Sequence, residues 1–413
     1  TNVVIEASTA FGIEGTISGP GGFTKIGGST LTLSGPSGNT FSGAVIVNQG
    51  VLQLSKSGGE AIGSLADSLT IGDDVGGVDT DIVRYTVANQ INSAVPITIN
   101  SSGLLDLNGF SDSVGALTFN GGDITTGTGT LTMVNNAIIN RNTNSQALIS
   151  GKLSLGSVIR TFDATGHFFS PDLKINAEVS GTGGLTKNGV GEVSLTASNS
   201  YTGLTTVNDG FLMVDDSFAL GTTAGGTIVN AGAVLALRFD AHVGAEALTL
   251  AGTGQSSFGA LSSSFGSNSW AGNIVLTNDT VITVESGDFL NLSGIISGPG
   301  SLTKSRTGTL IYSGASGNTY SGDTTVNEGG LTLAKNLAIL SGTLTIGDGV
   351  GAAISDIVRY SAANGINSTV PILIRETGLL DLNGFNDTVG ALTIIGGDIL
   401  TGAGTMTINN NLT

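Results

Sequence analysis

Apolar residues recur at every second position along much of this chain. Leu31 and Leu33, Leu52 and Leu54, Ile97 and Ile99, Leu105 and Leu107, Leu117 and Phe119, and Leu131 and Met133 are each separated by Thr, Gln or Asp. A period of two sends alternate side chains to opposite faces of a strand, so one face of each run is buried. The runs are short, and Gly, Asn, Asp and Ser punctuate them, as in Ser34 to Asn39 and Asn120 to Asp123. Clusters of this kind are turn chemistry. The helical period is nearly missing. Ser64 to Leu69 and Ala245 to Leu248 are the candidate helical segments, at one or two turns. The pattern predicts an all-β protein with Leu, Ile and Val facing inward.

The strands come in repeated sets. Three segments, 18–54, 180–214 and 297–333, share one order: a Gly-rich turn, Thr-Lys, a strand, Asn-x-aromatic-x-Gly, and two more strands. A longer block, 69–132, returns as 344–407 with DIVRY (Asp81 to Tyr85, Asp356 to Tyr360) and GLLDLNGF (Gly103 to Phe110, Gly378 to Phe385) in both copies. Fixed repeats indicate an array in which each unit packs on its neighbours. The array has no natural closure, and no Pro-rich or charged linker interrupts it. A stacked solenoid over residues 1–413 therefore fits better than a barrel or a string of sandwiches. Asn39, Asn199 and Asn318 recur at matching turns, as do Asn48, Asn208 and Asn327. Like residues stacked coil on coil form hydrogen-bonded ladders. With strands near 4.8 Å apart, such a stack is on the order of 100 Å long. Thr1 to Gly19 lines up with Thr280 to Gly298. We read the chain as a window on a longer repetitive protein, uncapped at Thr1 to Glu6 and at Thr405 to Asn409.

Composition narrows the partners. The 66 glycines keep no three-residue period, which excludes collagen. Charged residues are 11% of the chain and the formal charge is −17, which argues against nucleic acid and anionic membranes as partners. There are no cysteines, so stability must come from packing and hydrogen bonds. No apolar run is long enough to cross a bilayer as a helix.

The GxGGLTKxGxGxLxL-like starts, the Asn-x-aromatic-x-Gly centres (Asn39 to Gly43, Asn199 to Gly203, Asn318 to Gly322) and the VNxGxLxL-like ends resemble the autotransporter-associated β-strand repeat of bacterial surface proteins. The resemblance implies a right-handed parallel β-helix displayed outside a Gram-negative cell.

Chemistry-bearing residues are few. His167 and His242 stand alone, without the spacing of a zinc site. The acidic run Asp73, Asp74, Asp79 and Asp81 recurs only as Asp348 and Asp356, and reads as a solvated loop more than as a calcium site. Arg84 and Arg359, inside DIVRY, are expected to pair with the preceding Asp81 and Asp356, and Arg160 is read as a similar case. The pairs Asp73-Asp74 and Asp215-Asp216 lack the neighbouring His or Arg-x-Lys motif of a pectin-degrading enzyme. The aromatics Phe23, Phe41, Phe110, Tyr201, Trp270, Tyr320 and Phe385 are expected in core stacks. No catalytic, cofactor or metal residue is nominated.

The leading expectation is a structural rod, fibre or surface-layer segment whose partners are further repeats or other copies end to end. The alternatives are an adhesin that binds a glycan or another cell through a lateral face, and a polysaccharide-degrading enzyme. The segments Asn135 to Asp172 and Arg238 to Trp270 have no second copy, so a unique site is sought there first.

Overall fold

A computed structural model describes residues 2–140, 145–166, 171–339 and 341–413. Among them every regular element is a strand. The segments at Ser64 to Leu69 and Ala245 to Leu248 form turns and strand starts, with no helix. Two compact units are present, Thr1–Leu204 and Thr205–Thr413. Each is a β-solenoid of parallel strands.

In the first unit, Val3 faces Phe23, 20 residues on, and Leu69 faces Ile97, 28 residues on, so coil length varies. One column of strands runs through Phe23–Ile26, Val45–Val47, Leu69–Ile71, Ile97–Asn100 and Leu117–Asn120. A second runs through Thr30–Gly35, Gly50–Lys56, Asp81–Tyr85 and Gly103–Asp106. Asp112–Val114 and Leu131–Met133 belong to a third. The alternation sets what is inside. Leu31, Leu33, Leu52, Leu54, Ile97, Ile99, Leu105 and Leu107 are all fully buried. A parallel sheet cannot turn by hairpins, so each coil must return through corners, and the stack buries the inward faces of all columns together.

Corner chemistry follows from close stacking. The side chain of Asn39 accepts from Ile17 N–H at 2.9 Å and donates to the Ala61 carbonyl at 2.8 Å, tying one coil to those on both sides. Asn318 does the same with Ile296 and Ala338. The expected ladder is also present elsewhere: Asn140 donates to Asn120 and Asn120 to Asn100 at 2.9 and 2.8 Å. The glycine that ends the Asn-x-aromatic-x-Gly centre is a packing requirement. A Cβ on Gly43 would lie 2.0 Å from the Gly22 nitrogen, and one on Gly322 would lie 2.4 Å from the Ser301 nitrogen. In GLLDLNGF, Asn108 takes the left-handed conformation (φ 47°) and Asn383 matches it (φ 48°). Asp106 accepts from Asn108 N–H at 2.8 Å, which pins that turn.

The second unit has three columns as well. Thr205–Val207, Thr227–Val229, Leu248–Gly252, Ile274–Val284 and Ile296–Ser297 form one. Gly210–Val214 and Ala233–Arg238 lead a second, which continues through Leu261–Ser264, the far end of Ile274–Val284, Leu302–Ser305 and Thr324–Val326. The third includes Ser267–Trp270, Phe289–Leu292, Thr309–Tyr312 and Gly329–Leu333. The 11-residue strand Ile274–Val284 thus serves two columns, where the coil before it turns a corner. Thr205–Val207 and Thr324–Val326 occupy the same position in their repeats, yet they stand on different faces of this unit.

Candidate functional site

The residue most firmly tied to the repeat is its lysine. Lys25, Lys187 and Lys304 are fully buried. In the strand Phe23–Ile26 the burial pattern puts Lys25 on the same inward face as Phe23. Its Nζ donates to the carbonyls of Gly27 at 2.6 Å and Gln49 at 2.5 Å. Lys304 holds the carbonyls of Ser305 and Glu328 at 3.0 Å each, and that of Arg306. Lys187 holds those of Asn188 and Gly189. Each ammonium closes a corner whose carbonyls point away from the sheet ladder, so a buried cation is satisfied by backbone dipoles. Burial lowers the Lys304 pKa to about 8. A second pair, Lys56 and Lys335, reaches further back, to the carbonyls of Gly15 and Gly294. Thr-Lys is a shared motif of the three repeats. Its signal was the period of two, which places Lys25 in phase with Phe23.

The arginine pairing differs from expectation. Arg84 Nε donates to Asp106 Oδ2 at 2.7 Å, and Arg359 to Asp381 at 2.8 Å. Asp81 and Arg84 lie three residues apart on one strand and so project to opposite faces, whereas Arg84 and Asp106 are direct neighbours on adjacent strands. Arg160 also departs from the expected pairing: it donates to the carbonyls of Leu155 and Val134. We expect Arg84→Ala to cost less than about 1 kcal/mol, because the arginine side chain is 40% exposed and its ion pair is partly screened by water. Asp106→Ala should cost more, about 1–3 kcal/mol, because it also frees the Asn108 N–H. Urea denaturation of the two variants checks the order.

The acidic run separates on folding. Asp73 and Asp74 are exposed; Asp74 Oδ1 accepts from Ser101 N–H at 2.9 Å and from its hydroxyl at 2.6 Å. Asp81 and its counterpart Asp356 turn into the core, where burial raises both carboxyls. Among the described residues no group of three His, Cys, Asp or Glu is placed to hold a metal ion. His167 lies outside the described residues. His242 is exposed, with Nδ1 3.0 Å from Ser269 Oγ.

Phe23, Phe41, Tyr201, Tyr320 and Trp270 are buried, as expected, whereas Phe110 and Phe385 are partly exposed. Trp270 Nε1 donates to the Glu246 carbonyl oxygen at 2.8 Å. The Glu246 side chain is buried too, and accepts from Thr227 Oγ1 at 2.5 Å. Desolvation lifts its carboxyl to about 7. A carboxyl raised in the folded state binds its proton more tightly there than in the unfolded chain. This stabilising contribution is fully present below the ordinary carboxylate range and is lost as pH rises towards 7. Glu246→Gln should therefore flatten the fall in stability of the second unit between about pH 4.5 and 7. Urea midpoints across that range test it; an unchanged slope would assign the fall to other groups.

The segment Arg238 to Trp270 carries the most unusual surface. Phe239 and Phe265 stack with ring centroids 5.1 Å apart and planes 16° off parallel. Both are more than half exposed, at 54% and 61%. Both have left-handed backbones, φ 58° and 57°, which bulky residues rarely adopt. The Arg238 guanidinium sits 5.1 Å from the Phe239 ring centroid and forms a two-bond fork with Asp215, at 2.7 and 2.6 Å. Asp288 accepts from the backbone N–H groups of Phe265 and Gly266, both at 2.8 Å. Asp240 accepts from Ser267 N–H at 2.7 Å. The unrepeated stretch was legible in the sequence. The pair was not, because 26 residues separate two phenylalanines that the coil length brings side by side.

Residues 23–54, 185–214 and 302–333 match the family model described as the passenger-associated-transport-repeat. The chain carries three passenger-associated transport repeats. Each match begins at the strand that holds the buried lysine, at Phe23, Leu185 and Leu302. The chain is also similar to the adhesin BmaC autotransporter of Brucella suis biovar 1 (strain 1330), with 30% identity over 415 residues. That alignment covers 87% of this chain and 11% of the length of the relative.

Proposed function

We propose that this chain is a stretch of an autotransporter passenger, displayed outside a Gram-negative cell, that serves as a structural rod. The passenger-associated transport repeats and the likeness to an autotransporter adhesin support the location. The observation that carries the structural reading is the direction of what recurs. The lysine, the asparagine and the aromatic ring common to all three repeats are buried (Lys25, Lys187, Lys304; Asn39, Asn199, Asn318; Phe41, Tyr201, Tyr320). Duplication has copied the means of stacking, and stacking is what a rod needs from its sequence. In-frame removal of residues 69–136 tests this in the full-length protein. Leu69 and Ala137 stand in one column, so the cut rejoins the coils in phase. The expected product is still displayed and projects a shorter distance from the cell by electron microscopy. Loss of display, or an antibody to this region that labels only permeabilised cells, would overturn the proposal.

A second reading, adhesion through a lateral face, is favoured by one observation: the exposed, unrepeated Phe239–Phe265 stack.

A further inference from the structure

We infer that the Phe239–Phe265 corner is a binding platform for a neutral glycan. The inference rests on the adhesive reading above and gives that face a ligand class.

Exposed aromatic rings are costly to leave in water, and these two are held still. Left-handed phenylalanines would relax if the corner were loose. Asp288 on the Phe265 and Gly266 N–H groups, Asp240 on Ser267 N–H and the Asp215 fork on Arg238 fix the backbone on both sides. Strain kept in place by surrounding bonds is a feature of ligand clamps. The repeat does not require it, because this segment has no second copy in the chain.

The polar rim selects the ligand. The guanidinium at the stack is already paired with Asp215, and Asp240 and Asp288 add carboxylates that keep spare lone pairs. Such a rim repels phosphate, sulfate and sialic acid. It accepts hydrogen bonds from hydroxyl groups, while the outer face of the stack takes the apolar C–H side of a pyranose. A neutral hexose polymer offers both: a flat face of C–H bonds and a ring of hydroxyl donors. The two rings cover each other's inner faces, so it is the outer face of the stack that meets the sugar.

The test is calorimetry of the 413-residue chain against gluco-, manno- and galacto-configured neutral oligosaccharides and their sulfated and sialylated counterparts. We expect binding to at least one neutral oligosaccharide and none to the charged forms. Phe239→Ala and Phe265→Ala should each weaken it at least tenfold with unchanged circular dichroism. Phe265→Trp should preserve it, and Phe265→Leu, which keeps apolar bulk but loses the ring, should not. Full affinity in Phe265→Leu, preference for the charged glycans, or no neutral glycan bound would overturn the inference. Adhesion of cells bearing the full-length protein separates this failure from that of the reading beneath it. If both alanine variants lower adhesion but no neutral glycan binds, the face is adhesive and the ligand class is wrong. If adhesion ignores both variants, face and ligand fall together.

Discussion

Trp270→Ala is expected to destabilise the second unit by about 3–5 kcal/mol, the range for emptying a fully buried large aromatic site. Trp270 is fully buried, its strand pairs with Phe289–Leu292, and its Nε1 is the donor that satisfies the Glu246 carbonyl. Alanine removes the ring volume and leaves that carbonyl without its partner, so the cavity and hydrogen-bond costs add. The damage should be local. Ser267–Trp270 and Phe289–Leu292 should lose hydrogen-exchange protection, while Asp356–Tyr360, several coils on, should keep it, because each coil contacts only its neighbours. A uniform loss across the unit would mean a single cooperative core and would refute the nearest-neighbour account.

Leu107→Asp should be comparably severe in the first unit. Leu107 is fully buried, and its N–H donates to the Thr125 carbonyl at 2.8 Å. By the register of its strand, a carboxylate there stands between Tyr85 and Thr126, both fully buried and neither a cation. An uncompensated buried charge costs about 3–5 kcal/mol. Burial would raise the new carboxyl above its unfolded value. Part of the lost stability should therefore return as pH falls below the raised folded value, where the native state takes up its proton. Leu107→Ala is the control: it leaves a cavity but no titratable group, so its defect should not change with pH. Equal pH dependence in the two variants would show that charge is not the cause.

The solenoid was legible because its causes are local and repeated. Period-two runs set strand and face, and recurring Asn and Gly mark corners where coils touch, as at Asn39 and Gly43. What escaped depends on the length of a coil. Arg84 meets Asp106 because 22 residues make one turn there, and no property of DIVRY alone announces that distance. The same holds for the Phe239–Phe265 stack. Lys25 is a different case. Its inward position follows from the alternation, but lysine is so seldom buried that the alternation alone does not announce it. The Gly27 and Gln49 carbonyls that justify it come from its own corner and the next coil.

The one-face offset in the second unit has a consequence for anything that grips from outside. Thr206 and Thr325 are partly exposed and occupy equal places in their repeats, but they belong to columns on different sides. A two-armed antibody raised against one repeat would find its second epitope pointing elsewhere. Its arms could not both close along a single side, and the gain from bivalence would be lost. Duplication here sets these two copies of one epitope on different columns, so immune recognition of one is not tightened by the other.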